Sequence, residues 1–169
     1  MKDKDPILFD LIEKEKLRQV ETIDLCGETN YASMAVMECL ASCLTNKYSE
    51  GQPTKRYYGG NEFIDMVEIE CQKRALTAFN LNPEEWGVNT QVLSEDAAIQ
   101  SLMTALIQPG EAVMGLDKLS GGYGKTGHPT KEGQYAFTDM FYKAVPYHIK
   151  DENGEIDYDR LHKDAVENQ

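Results

Sequence analysis

An α/β fold with a mainly parallel sheet is the class this sequence predicts, and three observations predict it. Segments with apolar residues every three to four positions alternate with short apolar runs. The runs Ala112–Leu116 and 140–149 are too short for helices of ordinary length, and turn residues such as Pro109-Gly110 and the glycine-rich stretch 120–133 punctuate them. Such alternation sets strands side by side with helices on the sheet faces. With 169 residues, 41% of them hydrophobic, the chain is long enough for one domain with a real core.

Taken in order, residues 5–20 carry Ile7, Leu8, Leu11, Ile12 and Leu17 at helical spacing among Glu and Lys, which predicts an amphipathic helix that docks on a partner surface. Cys26-Gly27-Glu28-Thr29-Asn30 reads as a turn. After it, Ser33 caps a helix over 34–46, with Val36, Met37, Leu40 and Leu44 as the buried stripe. A helix over 63–80 repeats the pattern through Ile64, Val67, Cys71, Ala75, Leu76 and Phe79. Alternating Trp86, Val88, Thr90 and Val92 predict a strand over 86–93. A helix over 96–108 stops before Pro109-Gly110, strands follow at Ala112–Leu116 and 140–149, and Asp157 caps a last helix over 156–166.

The formal charge of -12 works against nucleic acid and anionic membranes as partners, because association with either depends on clustered Lys and Arg. No stretch approaches the roughly 18 apolar residues of a spanning helix, and the start of the chain has no signal-peptide core. A cytoplasmic location is therefore expected. Cys26, Cys39, Cys43 and Cys71 contain no Cys-x-x-Cys pair and read as buried, reduced thiols. His128, His148 and His162 lack metal-ligand spacing, so no metal site is predicted.

The densest chemistry lies in 42–65, Ser-Cys-Leu-Thr-Asn-Lys-Tyr-Ser-Glu-Gly-Gln-Pro-Thr-Lys-Arg-Tyr-Tyr-Gly-Gly-Asn-Glu-Phe-Ile-Asp. Gly and Pro forbid a continuous helix there, and loops so built on a scaffold are where binding groups sit. Glu50 can move protons, and Tyr48, Tyr57 and Tyr58 can hydrogen-bond a ligand. Taken as isolated residues, they read better as a solvated acid and packing phenols.

The motifs K-Y-S-E-G and K-R-Y-Y-G-G-N-E, with Asp-Pro-Ile-Leu-Phe-Asp-Leu-Ile-Glu-Lys-Glu-Lys-Leu-Arg-Gln from Asp5 and Ile156-Asp157-Tyr158 near the end, closely resemble the amino-terminal portion of serine hydroxymethyltransferase. The resemblance implies a fold-type I pyridoxal-phosphate-dependent transferase, truncated within its large domain. Residues 1–47 would form an amino-terminal helical arm and 48–169 part of the cofactor-type α/β domain. It also implies a proton-handling role for Glu50, presented to the neighbouring subunit's site. Tyr57 and Tyr58 would contact folate and substrate, and Tyr48 would lie near the cofactor phosphate. The implied partner is another subunit of the same type, in a homo- or hetero-dimer.

Other motifs depart from the family pattern. Where the family reads L-S-G-S-x-A-N to hold the cofactor phosphate, this chain reads Leu93-Ser94-Glu95-Asp96-Ala97-Ala98-Ile99. Two unit charges about 4 Å apart at an effective dielectric near 20 repel by roughly 4 kcal/mol. Glu95 and Asp96 are thus expected to leave pyridoxal-phosphate binding weak or absent. Glu28 stands where the family's A-S-E-N has the serine that helps bind the substrate carboxylate, and Tyr123 stands where G-G-H-L-T-H-G has its ring-stacking histidine, with Thr126 at the second histidine. The resemblance further implies that the Schiff-base lysine, the aspartate paired with the pyridinium nitrogen and the substrate-gripping arginine lie beyond the matched portion.

Gly121-Gly-Tyr-Gly-Lys-Thr126 also invites a nucleotide-binding reading, but the position five before Gly124 is Leu119, and Gly127-His128-Pro129 opens a helix badly. Three readings result. The chain is a truncated homologue without catalysis of its own, an interaction module docking on a full-length homologue, or the amino-terminal part of an active enzyme that converts serine and tetrahydrofolate to glycine and methylenetetrahydrofolate.

Overall fold

Four helices of this chain begin where a short polar side chain takes a backbone N–H. In the computed structural model, which describes residues 2–123, 137–150 and 153–168, Asp5 Oδ1 accepts Leu8 N–H at 2.9 Å and Pro6 opens α1, Pro6–Glu21. Ser33 opens α2, Met34–Leu40, and Ser94 opens α4, Glu95–Leu106. Asp157 accepts Arg160 N–H at 3.1 Å to open α6, Tyr158–Glu167. Each cap satisfies a donor that the first helical turn leaves without a partner.

The chain divides into two compact units, Met1–Lys73 and Arg74–Gln169. In the first, α1 carries exposed ion pairs along its length, Lys14 to Asp10 at 2.6 Å, Lys16 to Glu13 at 2.5 Å and Arg18 to Glu15 at 2.7 Å. The helix expected over 34–46 breaks after Leu40. Ser42 explains the break: its hydroxyl donates to Cys39 O at 2.7 Å and accepts Leu44 N–H at 3.3 Å, starting a 3-10 turn at Cys43–Asn46. A hydroxyl that bonds to its own backbone competes with helix continuation. The expected stripe of Val36, Met37, Leu40 and Leu44 is exposed, not buried. Its periodicity identifies the face that wants cover, but nothing in the described residues provides it.

The rest of this unit is a short antiparallel hairpin, β1 (Gly51–Gln52) and β2 (Lys55–Arg56), followed by the part of α3, Glu62–Ala78, that runs to Lys73. Helix α3 was expected over 63–80. Of its predicted stripe, Ile64, Ala75 and Leu76 are half-buried while Val67, Cys71 and Phe79 are exposed.

In the second unit, β3 (Ala112–Leu116) and β4 (Lys143–Tyr147) pair in parallel, with Ala112 opposite Lys143 and Leu116 opposite Tyr147. The parallel pair follows the sequence expectation, shortened at β4 because α5, Phe137–Phe141, takes up the start of that segment. Helices α5 and α6 lie against β4. No strand forms over 86–93. Asn89 Oδ1 accepts Gln91 N–H at 2.8 Å, which turns the backbone locally, and among the described residues no neighbouring strand pairs with it. Alternation alone does not hold a strand when its ladder has no second edge.

Tyr142 and Val145 are the buried hydrophobic residues among those described, so the expected large core is reduced to a patch about β4. A parallel strand needs apolar cover on both faces, and two strands offer too little surface to enclose one another. All four cysteines are free and exposed, contrary to the burial expected of them, for the same lack of covering elements.

Glycine is required where β3 leaves the sheet. Asp117 N–H donates to Tyr147 O at 2.8 Å, the chain turns through a 3-10 turn at Lys118–Ser120, and Gly122 N–H donates back to Asp117 O at 3.0 Å. A Cβ on Gly122 would lie 1.7 Å from Leu116 O. Gly122→Ala should therefore lower the melting temperature of the chain by about 4–8 °C, roughly 2 kcal/mol. Thermal unfolding followed by circular dichroism measures it.

Candidate functional site

The hairpin loop is built by one turn and one cation. Pro53 and Thr54 form the two-residue turn between β1 and β2, with Thr54 at φ 66°, a left-handed conformation unusual for a β-branched residue. Asp65 Oδ2, on the first turn of α3, accepts the Thr54 N–H at 2.7 Å and so holds the turn against that preference. Gly51 at φ 101° permits the close pairing opposite Arg56, where a Cβ would meet Lys55 O at 2.5 Å.

Arg56 projects from β2 into this unit with its side chain only 4% exposed. Its Nε donates to Asp65 Oδ1 at 2.8 Å and its Nη2 to Glu68 Oε2 at 2.6 Å, while Nη1 donates to Ser49 O and Gly51 O, both at 2.7 Å. The two carbonyls flank Glu50. A planar guanidinium with five fixed donors suits this division between carboxylates and backbone. Asp65 and Glu68 stand three residues apart on α3 and so face the same way.

The candidate site residues 48–58 come together around this clamp. Tyr57 N–H donates to Glu50 O at 3.2 Å, placing the two residues across the hairpin. The Tyr48 and Tyr58 rings meet edge to face, centroids 5.1 Å apart at 88°. Hydrogen bonding to Tyr58, then partial desolvation and the nearby Glu50 charge, push the Tyr48 hydroxyl above its ordinary value. That phenol stays protonated at neutral pH. Asn61 Nδ2 donates to Tyr58 O at 2.8 Å, and Lys47 Nζ donates to Gly59 O, closing the carboxyl end of the loop. Glu50 and the Tyr57 ring face solvent. A shallow cavity of about 320 Å³ lies beside them, lined by Arg56, Tyr57, Tyr58, Asn61, Glu62 and Asp65 among others. This arrangement presents a carboxylate and three phenols outward on a fixed backbone, able to accept or donate protons to a group that docks against it.

The remaining candidates belong to the second unit. Ser94 serves as the α4 cap, its Oγ accepting Ala97 N–H at 3.2 Å, and Glu95 and Asp96 form the exposed first turn. An incoming phosphate would need this helix N-terminus. Side chains of a first turn lean toward that N-terminus, so two carboxylates crowd the approach to it and the donor set does not fit a dianion. Tyr123 follows the Gly121-Gly122 turn and is 38% exposed. Lys125, Thr126 and His128 lie outside the described residues, as does most of the glycine-rich stretch. His148 Nδ1 is 3.9 Å from Asp117 Oδ2, and His162 is exposed. Among the described residues no group of three or more His, Cys, Asp or Glu could hold a metal, and no helix is long and apolar enough to cross a membrane.

The sequence places Arg56 in the site loop without a role, and it does not point to Asp65 or Asn61 as site residues. The available signal was one arginine within a Gly- and Pro-bounded loop, followed by two acids at helical i, i+3 spacing. It specifies a possible clamp but not which backbone carbonyls the clamp would grip.

Residues 1–169 match the family model described as serine hydroxymethyltransferase. The chain is 49% identical over 164 residues to serine hydroxymethyltransferase 5 of Arabidopsis thaliana, covering 96% of this chain and 35% of that relative. It is 46% identical over 162 residues to the chloroplastic serine hydroxymethyltransferase 3 of the same plant, covering 96% of this chain and 31% of that relative. It is also 46% identical over 165 residues to the cytosolic serine hydroxymethyltransferase of Oryctolagus cuniculus, covering 98% and 34% respectively. The chain spans about a third of the length of these curated relatives.

Two predictions test the clamp. Arg56→Met leaves Asp65 and Glu68 facing each other without their cation, and should speed proteolytic cleavage within 48–60 by about tenfold or more while the helix signal persists. The Thr54 N–H and then Arg56 hold the Asp65 carboxyl below its usual 3.8. A carboxylate so depressed stabilises the fold above its unfolded value and loses that contribution as pH falls through the folded value. Acidification below about pH 4 should therefore release the loop. Exchange of the Thr54 amide, normalised to its intrinsic rate, should rise there in the native chain, and Asp65→Asn should remove the acid dependence.

Proposed function

The chain belongs to the serine hydroxymethyltransferase family, and from that membership we propose that it acts as a loop-donating subunit. It docks on a full-length homologue and presents Glu50, Tyr48, Tyr57 and Tyr58 to that partner's site. The observation that carries the reading is the clamp. The hydrogen bonds of Lys47, Thr54 and Arg56 that shape the loop end on residues 49–68 of the same chain, which supports a loop assembled before any partner arrives. Preorganisation of this kind lowers the ordering cost of docking. In the complex Glu50 exchanges a proton with the substrate and the Tyr57 and Tyr58 phenols orient substrate and folate, the partner's reaction being serine plus tetrahydrofolate to glycine plus methylenetetrahydrofolate. The chain has no catalysis of its own, and pyridoxal phosphate is held by the partner. We place it in the cytosol, as the name of the rabbit relative has it for that protein.

The share of the relatives that the chain spans favours a second reading, in which these residues are the opening part of a longer transferase. The acidic first turn of α4 weighs against that reading.

Complementation tests the proposal. A full-length homologue whose loop glutamate is changed to glutamine should recover serine turnover when mixed with this chain. Glu50→Gln in the added chain should reduce the rescue by about 100-fold or more. Absence of both rescue and co-sedimentation would refute the docking role.

A further inference from the structure

The family implies a phosphate-bearing cofactor, and the first turn of α4 disagrees with it. We infer that Glu95 and Asp96 turn this helix N-terminus into an anion-excluding surface, closed to phosphate monoesters by charge and not by a missing fold element. The inference deepens the proposed division of labour between the two subunits, but it rests on the family placement of 93–99 and not on loop donation.

The helix itself is sound. It runs Glu95–Leu106 behind a Ser94 cap, with Ala98 N–H donating to Ser94 O at 3.1 Å. A helix N-terminus of this length carries about half a positive charge, which ordinarily draws an anion. Here three features oppose that draw. The Ser94 hydroxyl oxygen already accepts the Ala97 N–H, so one donor that an anion would use is taken. Glu95 and Asp96 set two carboxylates against the half charge of the helix end. Their Cβ atoms lean toward the position an anion would occupy, and both residues are exposed, so they meet the anion before the backbone does. The carboxylates also favour the helix by standing at its positive end. The same pair therefore strengthens α4 and closes the site.

The full chain tests this by calorimetric titration with pyridoxine 5′-phosphate, which has no aldehyde to react with lysines, and with inorganic phosphate. The native chain should show no saturable binding up to about 1 mM, and neutralising Glu95→Gln and Asp96→Asn together should tighten binding of both probes by about tenfold or more. Glu95→Gly with Asp96→Ser, which also opens the backbone, should gain further. Circular dichroism verifies the helix in each variant, and the glutamine–asparagine variant decides the matter if the glycine variant loses α4. Micromolar binding by the native chain, or no gain on neutralisation, would overturn the inference. The assay does not involve Glu50 or a partner, so its failure leaves the docking proposal standing, and the reverse also holds.

Discussion

A single guanidinium organises the hairpin loop and the start of α3. Arg56 joins a two-stranded hairpin to the helix that follows it, and it does so through four donor contacts that no smaller cation could make at once. Because two of those contacts end on the carbonyls of Ser49 and Gly51, the backbone at Glu50 is pinned from both sides. The carboxylate can then be aimed outward without being free to wander. Asp65 does double duty, accepting from Arg56 and from the amide of a strained Thr54. Burying a charge is costly unless it is fully paired, and the enclosed Arg56 meets that condition with two carboxylates and two carbonyls.

The two units treat negative charge in opposite ways. Around Arg56, carboxylates are consumed in binding a cation and leave a hydrogen-bonded, oriented loop. At α4, carboxylates stand on a helix end and meet solvent. The first arrangement preserves a surface that can act on something bound elsewhere, and the second disfavours holding the anionic anchor of a cofactor in place. On the proposed reading, the loop is the part that acts at a partner's site and the α4 N-terminus is the part that turns a phosphate away.

Exposed apolar side chains on α1 and α2 fit the same picture. Ile7, Leu11, Leu17 and Val20 on the first helix and Met34, Val36 and Leu40 on the second lie open. Surface hydrophobes in such number form faces that nothing among the described residues covers. Their helical periodicity was legible, and it located the helices well. What periodicity could not supply was the covering element, which is a property of neighbours in space and not of spacing along the chain.

From the order of residues alone came the family, the α/β class, the caps at Ser33 and Asp157, the strand Ala112–Leu116 and the loop that gathers Glu50 with Tyr48, Tyr57 and Tyr58, because each is written in local spacing or in a long contiguous motif. Only the folded chain decided that 34–46 breaks at Ser42, that 86–93 forms no strand, that the cysteines and the α2 stripe lie open, and that Arg56 reaches Ser49, Gly51, Asp65 and Glu68. Those outcomes depend on which groups find a partner across the fold. A backbone ladder, a buried face and a four-contact clamp each need a second surface, and its position is set by tertiary packing.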